Sequence, residues 1–374
     1  MLKQARQFTH WMRKDALPYF LQQGVASRND RARFAETVPA APGVIRSRVQ
    51  MRQLYVFSHA MRTGWVAGGE VIYRIMETGL RHFHDTQGVF YFSDGSDKTA
   101  KQQNAYEQAF ALLAYSELWL LTGDPQIRQR AENLHDWMQR HLALEEGGYA
   151  LNSEHPPFLS QNPHMHLFEA MLSWWEATGD ARWEQEAHRL FLLFTQRFYN
   201  QQKGCLVEFF APGWRPELPV SQQIDPGHHH EWTWLLYEYE RITGIDTREW
   251  RTSLQHFIVD CGDNPHTQAV MNEIYLDKRP CRAASRLWCQ TERIKADTVN
   301  CLTNGQVALQ PLEQHLANMQ RLYIEGETAG RYCDEITETG ERIEAASPAS
   351  TLYHLYVASR QVDEVVQKFN VEGS

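Results

Sequence analysis

The chain has 374 residues, 43% hydrophobic and 12% aromatic, with a formal net charge of −9. That composition predicts a folded, aromatic-rich interior, and the acidic balance without any basic block argues against nucleic acid or an anionic membrane as partner. No apolar run is long enough to span a bilayer, residues 1–7 carry no signal core, and six cysteines lie scattered without a C-x-x-C pair, so a cytoplasmic protein with reduced, structural thiols is expected.

Residues 4–22 predict a first helix presenting Phe8, Trp11 and Met12, with Pro18 bending or ending it. A polar stretch rich in Arg, Asp and Pro runs to about Ser47. Helix 48–62 should be broken by Gly64 and by Gly68-Gly69, and another helix is expected over 71–83. Segment 88–93 is a short element ending in the turn pair Asp94-Gly95.

From there the pattern repeats. Helix 104–121 ends at Thr122-Gly123-Asp124 and is followed by helix 127–142. Helix 164–177 ends at Thr178-Gly179-Asp180 and is followed by helix 183–198. Helix 229–242 ends at Thr243-Gly244-Ile245-Asp246 and is followed by a helix to about 259. In each hairpin the glycine suits a left-handed stop and the aspartate suits the cap of the next helix. The three glycines stand roughly sixty residues apart, a period that signals repeated helix pairs. Gly148-Tyr149, Gly204-Cys205-Leu206 and Gly330-Arg331-Tyr332 connect the pairs. Segments 286–302 and 312–324 supply one more pair. Segment 348–359, with Ser347 as cap and Pro348 at the first helical position, supplies a sixth helix of the first type.

First-type helices therefore begin near residues 48, 102, 164, 228, 286 and 348, and the N-terminal helix is left to pair with the last. Six inner and six outer helices predict a single all-α domain over residues 1–374, an (α/α)6 barrel whose terminal repeats cover each other.

The stretch Asp225-Pro226-Gly227-His228-His229-His230-Glu231-Trp232 opens the fourth of these helices. Trp232, Leu235, Leu236 and Tyr239 form its apolar stripe, so His228 and Glu231 lie one turn apart near the helix start. The positive end of the dipole favours an ionised Glu231 and a neutral, proton-accepting imidazole at His228. His229 and His230 should point away from that face and tolerate replacement. Other unusual polar residues also fall near first-type helix starts: Arg52, Tyr106, Asn162, His166, Glu292 and His354. In a closed ring of parallel helices they would meet around one funnel.

Each has an ordinary alternative. Arg52 suits a solvated helix face, and Tyr106, His166 and His354 suit a core. Asn162, before Pro163, suits a helix cap, and Glu292 a surface pair with Lys295 or Arg293. Trp65, Trp175, Trp232 and Trp288 are candidates for stacking on a sugar. The three consecutive histidines could hold a metal with Glu231 or His166, but a His/Glu pair one turn apart occurs without one. Neither a metal nor another cofactor is expected.

Four segments together resemble the N-acylglucosamine 2-epimerase superfamily of sugar isomerases and epimerases. They are Pro226-Gly227-His228-His229-His230-Glu231-Trp232, the run 286–296 from Arg286 to Ala296, Ser350-Thr351-Leu352-Tyr353-His354-Leu355-Tyr356, and Asn162-Pro163-His164-Met165-His166. The resemblance implies an (α/α)6 barrel and metal-independent catalysis by two histidines, here His228 and His354. It also implies that Arg52, Tyr106, Asn162, His166, Glu231, Trp288 and Glu292 surround a monosaccharide. Within the family the chain looks most like the mannose isomerases, as a monomer or homodimer.

The residue types suit that chemistry. Aldose and ketose interconvert by removal of a proton beside a carbonyl, and two groups that titrate near neutrality can share the work. His228 and His354 would do so while Arg52 and His166 stabilise the enediolate oxygen. Glu231 would orient His228 or a hydroxyl, and Glu292, Asn162 and Tyr106 would hold hydroxyls. The alternatives are a 2-epimerase using the same residues and, more distantly, a glycoside hydrolase with Glu231 and Glu292 as its carboxyl pair.

Overall fold

In the computed structural model, which describes residues 2–28, 31–67 and 69–371, helices dominate. Met1 and Gly68 of the expected helix break lie outside the described residues. Helix α1 (Lys3–Trp11) continues through a π-helical turn, Met12–Ala16, into α2 (Leu17–Gln23). Pro18 therefore does not end the helix. The widened turn ahead of it makes room for a residue that cannot donate to the carbonyl four positions back.

Helix α3 (Ser47–Arg62) is followed by α4 (Glu70–Arg74), which continues through a π turn and a 3-10 turn to His82. Then come α5 (Ala105–Thr122) with α6 (Pro125–His141), α7 (Asn162–Thr178) with α8 (Ala181–Leu193), and α9 (Pro226–Thr243) with α10 (Arg248–Ile258). Helices α11 (Leu287–Asn304), α12 (Leu309–Tyr323) and α13 (Ala349–Val371) complete the described helices, the last running well beyond residue 359. None of the described helices is long and apolar enough to cross a membrane.

The three Thr-Gly hairpins share one chemistry. Gly123, Gly179 and Gly244 take φ of 67°, 66° and 74°, and their N–H groups donate to the carbonyls of Trp119, Trp175 and Glu240. Thr122, Thr178 and Thr243 donate to the carbonyls four residues back and accept the N–H of Asp124, Asp180 and Ile245. Asp124 and Asp180 then cap the following helices by accepting from the N–H of Gln126 and Arg182. Ile245 shifts the third cap by one residue, so that Thr247 is the N-cap residue and Asp246 accepts from Arg248 N–H.

The chain divides into two compact units. The first comprises residues 23–199 and 207–221, where α3, α5 and α7 pack side by side, with α6 on α5 and α8 on α7. The second comprises the residues up to 22, 200–206 and those from 222 onwards. There α9, α11 and α13 pack side by side, with α10 on α9 and α12 on α11, and α1 lies on α12 and α13. The N-terminal helix thus covers the last one, as the repeat count requires. Arg13 pairs with Asp363 at 2.7 Å, Phe20 stacks on Tyr332, and Glu313 accepts the N–H groups of Gln4 and Ala5 at the start of α1.

Every first-type helix fastens the chain before it through one buried side chain at its start. Gln50, Gln108 and Gln290 each accept the N–H and donate to the C=O of one residue, respectively Phe34, Phe90 and Val270. His164 and His229 do the same work in α7 and α9. Their Nε2 atoms accept from the N–H of Tyr149 at 2.8 Å and Leu206 at 3.1 Å, and Nδ1–H donates to the carbonyls of Ser160 and Asp225. For α13 the clamp is Ser347, which bonds both backbone groups of Tyr332. Ser347 is therefore not the expected helix cap, and Pro348 precedes α13 instead of opening it.

Both ring nitrogens of His164 are in use only while the ring is neutral, and burial pushes its pKa from the ordinary 6.5 down to about 4. Between those values the unfolded chain binds a proton that the folded chain refuses. The contribution is complete above pH 6.5 and is lost as pH falls towards 4, amounting to about 3 kcal/mol. His135 and His230 are depressed in the same direction by burial. Replacing His164 by glutamine, the residue other repeats use, is expected to make the fall in stability between pH 6.5 and 4 shallower by about one proton. Urea titrations over that range check it; an unchanged slope assigns the acid sensitivity elsewhere.

Candidate active site

In the second unit, the start of α9 is built by Asp225, whose Oδ1 accepts from the N–H groups of Gly227 at 2.8 Å and His228 at 3.4 Å. Pro226 at the first turn has no N–H to satisfy. The other Asp225 oxygen stands 3.8 Å from His228 Nδ1. Gly227 admits a neighbour: a Cβ at that position would meet Trp288 Cη2 at 2.8 Å. Half-buried Trp288, from the first turn of α11, touches both candidate histidines, with ring centroids 5.2 Å from His228 and 5.6 Å from His354.

His354 Nδ1 lies 2.8 Å from Glu292 Oε1. An ionised carboxylate can only accept, so Nδ1 carries the proton and Nε2 is left to take one up. The other Glu292 oxygen is 2.5 Å from Lys295 Nζ, which also lies 4.0 Å from Glu231 Oε1 and 3.8 Å above the Trp234 ring. Glu231, Glu292 and Lys295 have no exposed surface. The Glu292–Lys295 pair anticipated on a helix surface thus forms in the interior, while Arg293 reaches Asp263 at 2.7 Å.

The three consecutive histidines do not converge on one point, since successive helix residues diverge. His229 is a loop clamp with both nitrogens engaged and its ring stacked on Phe257. Burial holds the pKa of His230 well below its ordinary value. A metal shared by all three is therefore not supported. His229 is also not a neutral position to replace, contrary to the sequence expectation.

In the first unit, Arg52 is buried, donates to Tyr106 Oη at 2.7 Å, and lays its guanidinium 4.2 Å above the Phe110 ring. It is not a solvated helix residue. Arg48 covers the Tyr106 ring at 4.2 Å and pairs with the wholly buried Glu107 at 2.6 Å. His166 meets the Tyr106 ring edge-on at 5.1 Å and Phe110 at 4.5 Å, with Glu169 Oε2 3.5 Å from its Nδ1. Asn162 is the first residue of α7, and its buried Oδ1 makes no hydrogen bond among the described residues. Its side chain does not cap the helix.

Of the tryptophan candidates, Trp288 alone stands at a helix start. Trp232 is wholly buried, and Trp65 follows the C-terminal end of α3. Trp175 lies about 20 Å along α7 from Asn162 at 1.5 Å per residue. Sequence reasoning missed Asp225 as a partner of His228, Glu107 as the counter-ion of Arg48, and Lys295 as a buried charge. A signal existed for Glu107: a carboxylate inside the apolar run Ala105–Thr122 needs a cation beside it.

The sequence matches the family model for N-acylglucosamine 2-epimerase (GlcNAc 2-epimerase) over residues 37–358. The chain is 30% identical over 390 residues to the mannose-6-phosphate isomerase of Rhizobium meliloti, covering 98% of each chain. It is 27% identical over 252 residues to the cellobiose 2-epimerase of Bacteroides fragilis, covering 61% of this chain and 63% of that one. A crystal structure of D-mannose isomerase superposes with a TM-score of 0.84 at 17% identity, over 97% of this chain and 99% of that one. The fold class is therefore the expected all-α (α/α)6 type, and the chain belongs to the N-acylglucosamine 2-epimerase family, a family of sugar epimerases and isomerases.

Proposed function

We propose that residues 1–374 act as one catalytic domain that interconverts D-mannose and D-fructose, and by the same chemistry D-lyxose and D-xylulose, through a cis-enediol without a metal. The observation that carries this reading is the pair of imidazoles, His228 and His354, in contact with one half-buried indole. The open-chain aldose loses its C2 proton to a base while O1 gains one, giving the enediol. Return of a proton to C1 and loss of the O2 proton give the ketose. His228 and His354 share ring opening and these transfers, each imidazole accepting a proton in one step and giving it back in another.

Trp288 offers the sugar an apolar face between them. Glu292 serves His354, with Glu231 and Lys295 behind it. Arg52, near the start of α3, and His166, within the segment Asn162-Pro163-His164-Met165-His166, act on the enediolate oxygen, and Tyr106 and Asn162 on hydroxyls. The Arg52–Tyr106 bond and the unused Oδ1 of Asn162 support those roles.

A second reading, 2-epimerisation with the proton returned to C2 from the opposite face, is favoured by the similarity to cellobiose 2-epimerase. A glycoside hydrolase is disfavoured. Its two carboxyl groups must flank a glycosidic bond, whereas Glu231 and Glu292 are wholly buried against one lysine.

One assay separates these readings. The enzyme is incubated in heavy water containing EDTA with D-mannose, D-mannose 6-phosphate, D-glucose or cellobiose, and products are identified by NMR. Fructose from mannose, carrying deuterium at C1, is the expected result. Glucose from mannose, or a 2-epimer from cellobiose, assigns epimerisation instead. Turnover of mannose 6-phosphate alone moves the substrate to the one named for the Rhizobium relative, and loss of turnover in EDTA with recovery on adding a divalent ion rejects the metal-free mechanism.

A further inference from the structure

Behind His354 two carboxylates and one ammonium share a single buried cluster. Glu231, Glu292 and His354 bring their polar atoms within 4.8 Å of one another. Lys295 Nζ stands 2.5 Å from Glu292 and 4.0 Å from Glu231, over the face of Trp234, and none of the three charged side chains is exposed. Two carboxylates so close and so deep cannot both stay ionised unaided; one takes up a proton. A proton on Glu292 would reverse its bond to His354, with Glu292 donating and Nδ1 accepting. The imidazole would then carry its own proton on Nε2, where a base must be empty. An ammonium 2.5 Å from Glu292 and 4.0 Å from Glu231 opposes that alternative. With Lys295 charged, the cluster holds one net negative charge, which an imidazolium at His354 neutralises.

We propose that Lys295 is a positioning residue: its ammonium keeps Glu231 and Glu292 ionised together, and through Glu292 it holds His354 in the tautomer that accepts the sugar's proton. The proposal rests on His354 being an acid/base group of the reaction. Lys295 itself does not touch the sugar, because it has no exposed surface. Other charged or titratable groups of the same unit near the cluster include Asp225 and His228 at the start of α9, Arg286 and Cys289 at the start of α11, and Asp334 and Glu335 ahead of α13. Arg286 interacts with Asp225 and Asp334, while Lys295 is a cation beside the carboxylate pair.

The test compares Lys295→Met and Lys295→Arg with the parent enzyme, measuring kcat and KM from about pH 6 to about pH 10, with circular dichroism as the check on folding. For Lys295→Met, kcat at pH 7 is expected to fall by about 100-fold, the scale of a disabled general base, with KM changing less than about threefold. The loss should shrink as pH rises, because the carboxylate pair then gives up its extra proton. Lys295→Arg keeps the charge and should stay within about tenfold of the parent. In a Glu231→Gln background the methionine change should do less harm, since a lone carboxylate needs no cation to stay ionised.

Should Lys295→Met fail to fold, Lys295→Gln replaces it, keeping a donor for Glu292 but no charge, and the same pH dependence is expected. A folded, uncharged variant with parental kcat at pH 7 overturns the proposal. So does a loss that is independent of pH and equally large in the Glu231→Gln background. If His354→Asn is inactive while Lys295→Met is parental, only this inference fails; an active His354→Asn removes the reading beneath it.

Discussion

Replacing His354 by asparagine is expected to lower kcat by about two to four orders of magnitude, and His228→Asn should do the same, the usual scale for a general acid or base. The physical reason is the proton inventory. His354 has its Nδ1 directed to Glu292 at 2.8 Å, so Nε2 is the nitrogen that bears the lone pair, and an amide cannot take its place. His228 stands across Trp288 with its Nδ1 near Asp225. The loop clamps of α9 and α13 are His229 and Ser347, not these imidazoles, so circular dichroism, thermal midpoint and sugar affinity should change little. A well-folded His354→Asn enzyme that turns over sugar at the parental rate would falsify the two-histidine mechanism.

The second large effect is one of stability and falls on the adjacent residue. His229→Ala should destabilise the protein by roughly 3 kcal/mol, because it leaves the buried N–H of Leu206 without an acceptor and opens a cavity beside Phe257. His229→Gln should recover much of that loss, since glutamine makes the corresponding clamp in Gln50, Gln108 and Gln290. Urea denaturation of the two variants tests this; an alanine variant as stable as the parent would mean that the clamp contributes nothing. Together the two substitutions separate neighbours in one helical turn: His228→Asn impairs the reaction and leaves the fold, while His229→Ala weakens the fold.

What the sequence determined by itself was the local and repeating part. Thr122-Gly123-Asp124, Thr178-Gly179-Asp180 and Thr243-Gly244 set helix stop and restart by hydrogen bonds within a few residues, so the hairpins were legible from residue type alone. The same local chemistry put His228, Glu292 and His354 near helix starts, and the count of repeats gave the leftover N-terminal helix a partner in the last. Where a local cue was incomplete, tertiary contact overrode it. Ser347 looked like a cap but is used by Tyr332, and Pro18 looked like a stop but follows a π turn that absorbs it.

Only the tertiary structure decided which polar side chains face each other. His228, His229 and His230 are alike in composition and differ only in direction, about 100° apart around the helix, so what each one meets separates the proposed base from the clamp. Glu292 and Lys295 are one turn apart on any helix, and sequence spacing cannot say whether water screens them. Wrapped by α9 and α13, they form a buried pair that carries His354, because a charge removed from water must find its counter-charge within the protein.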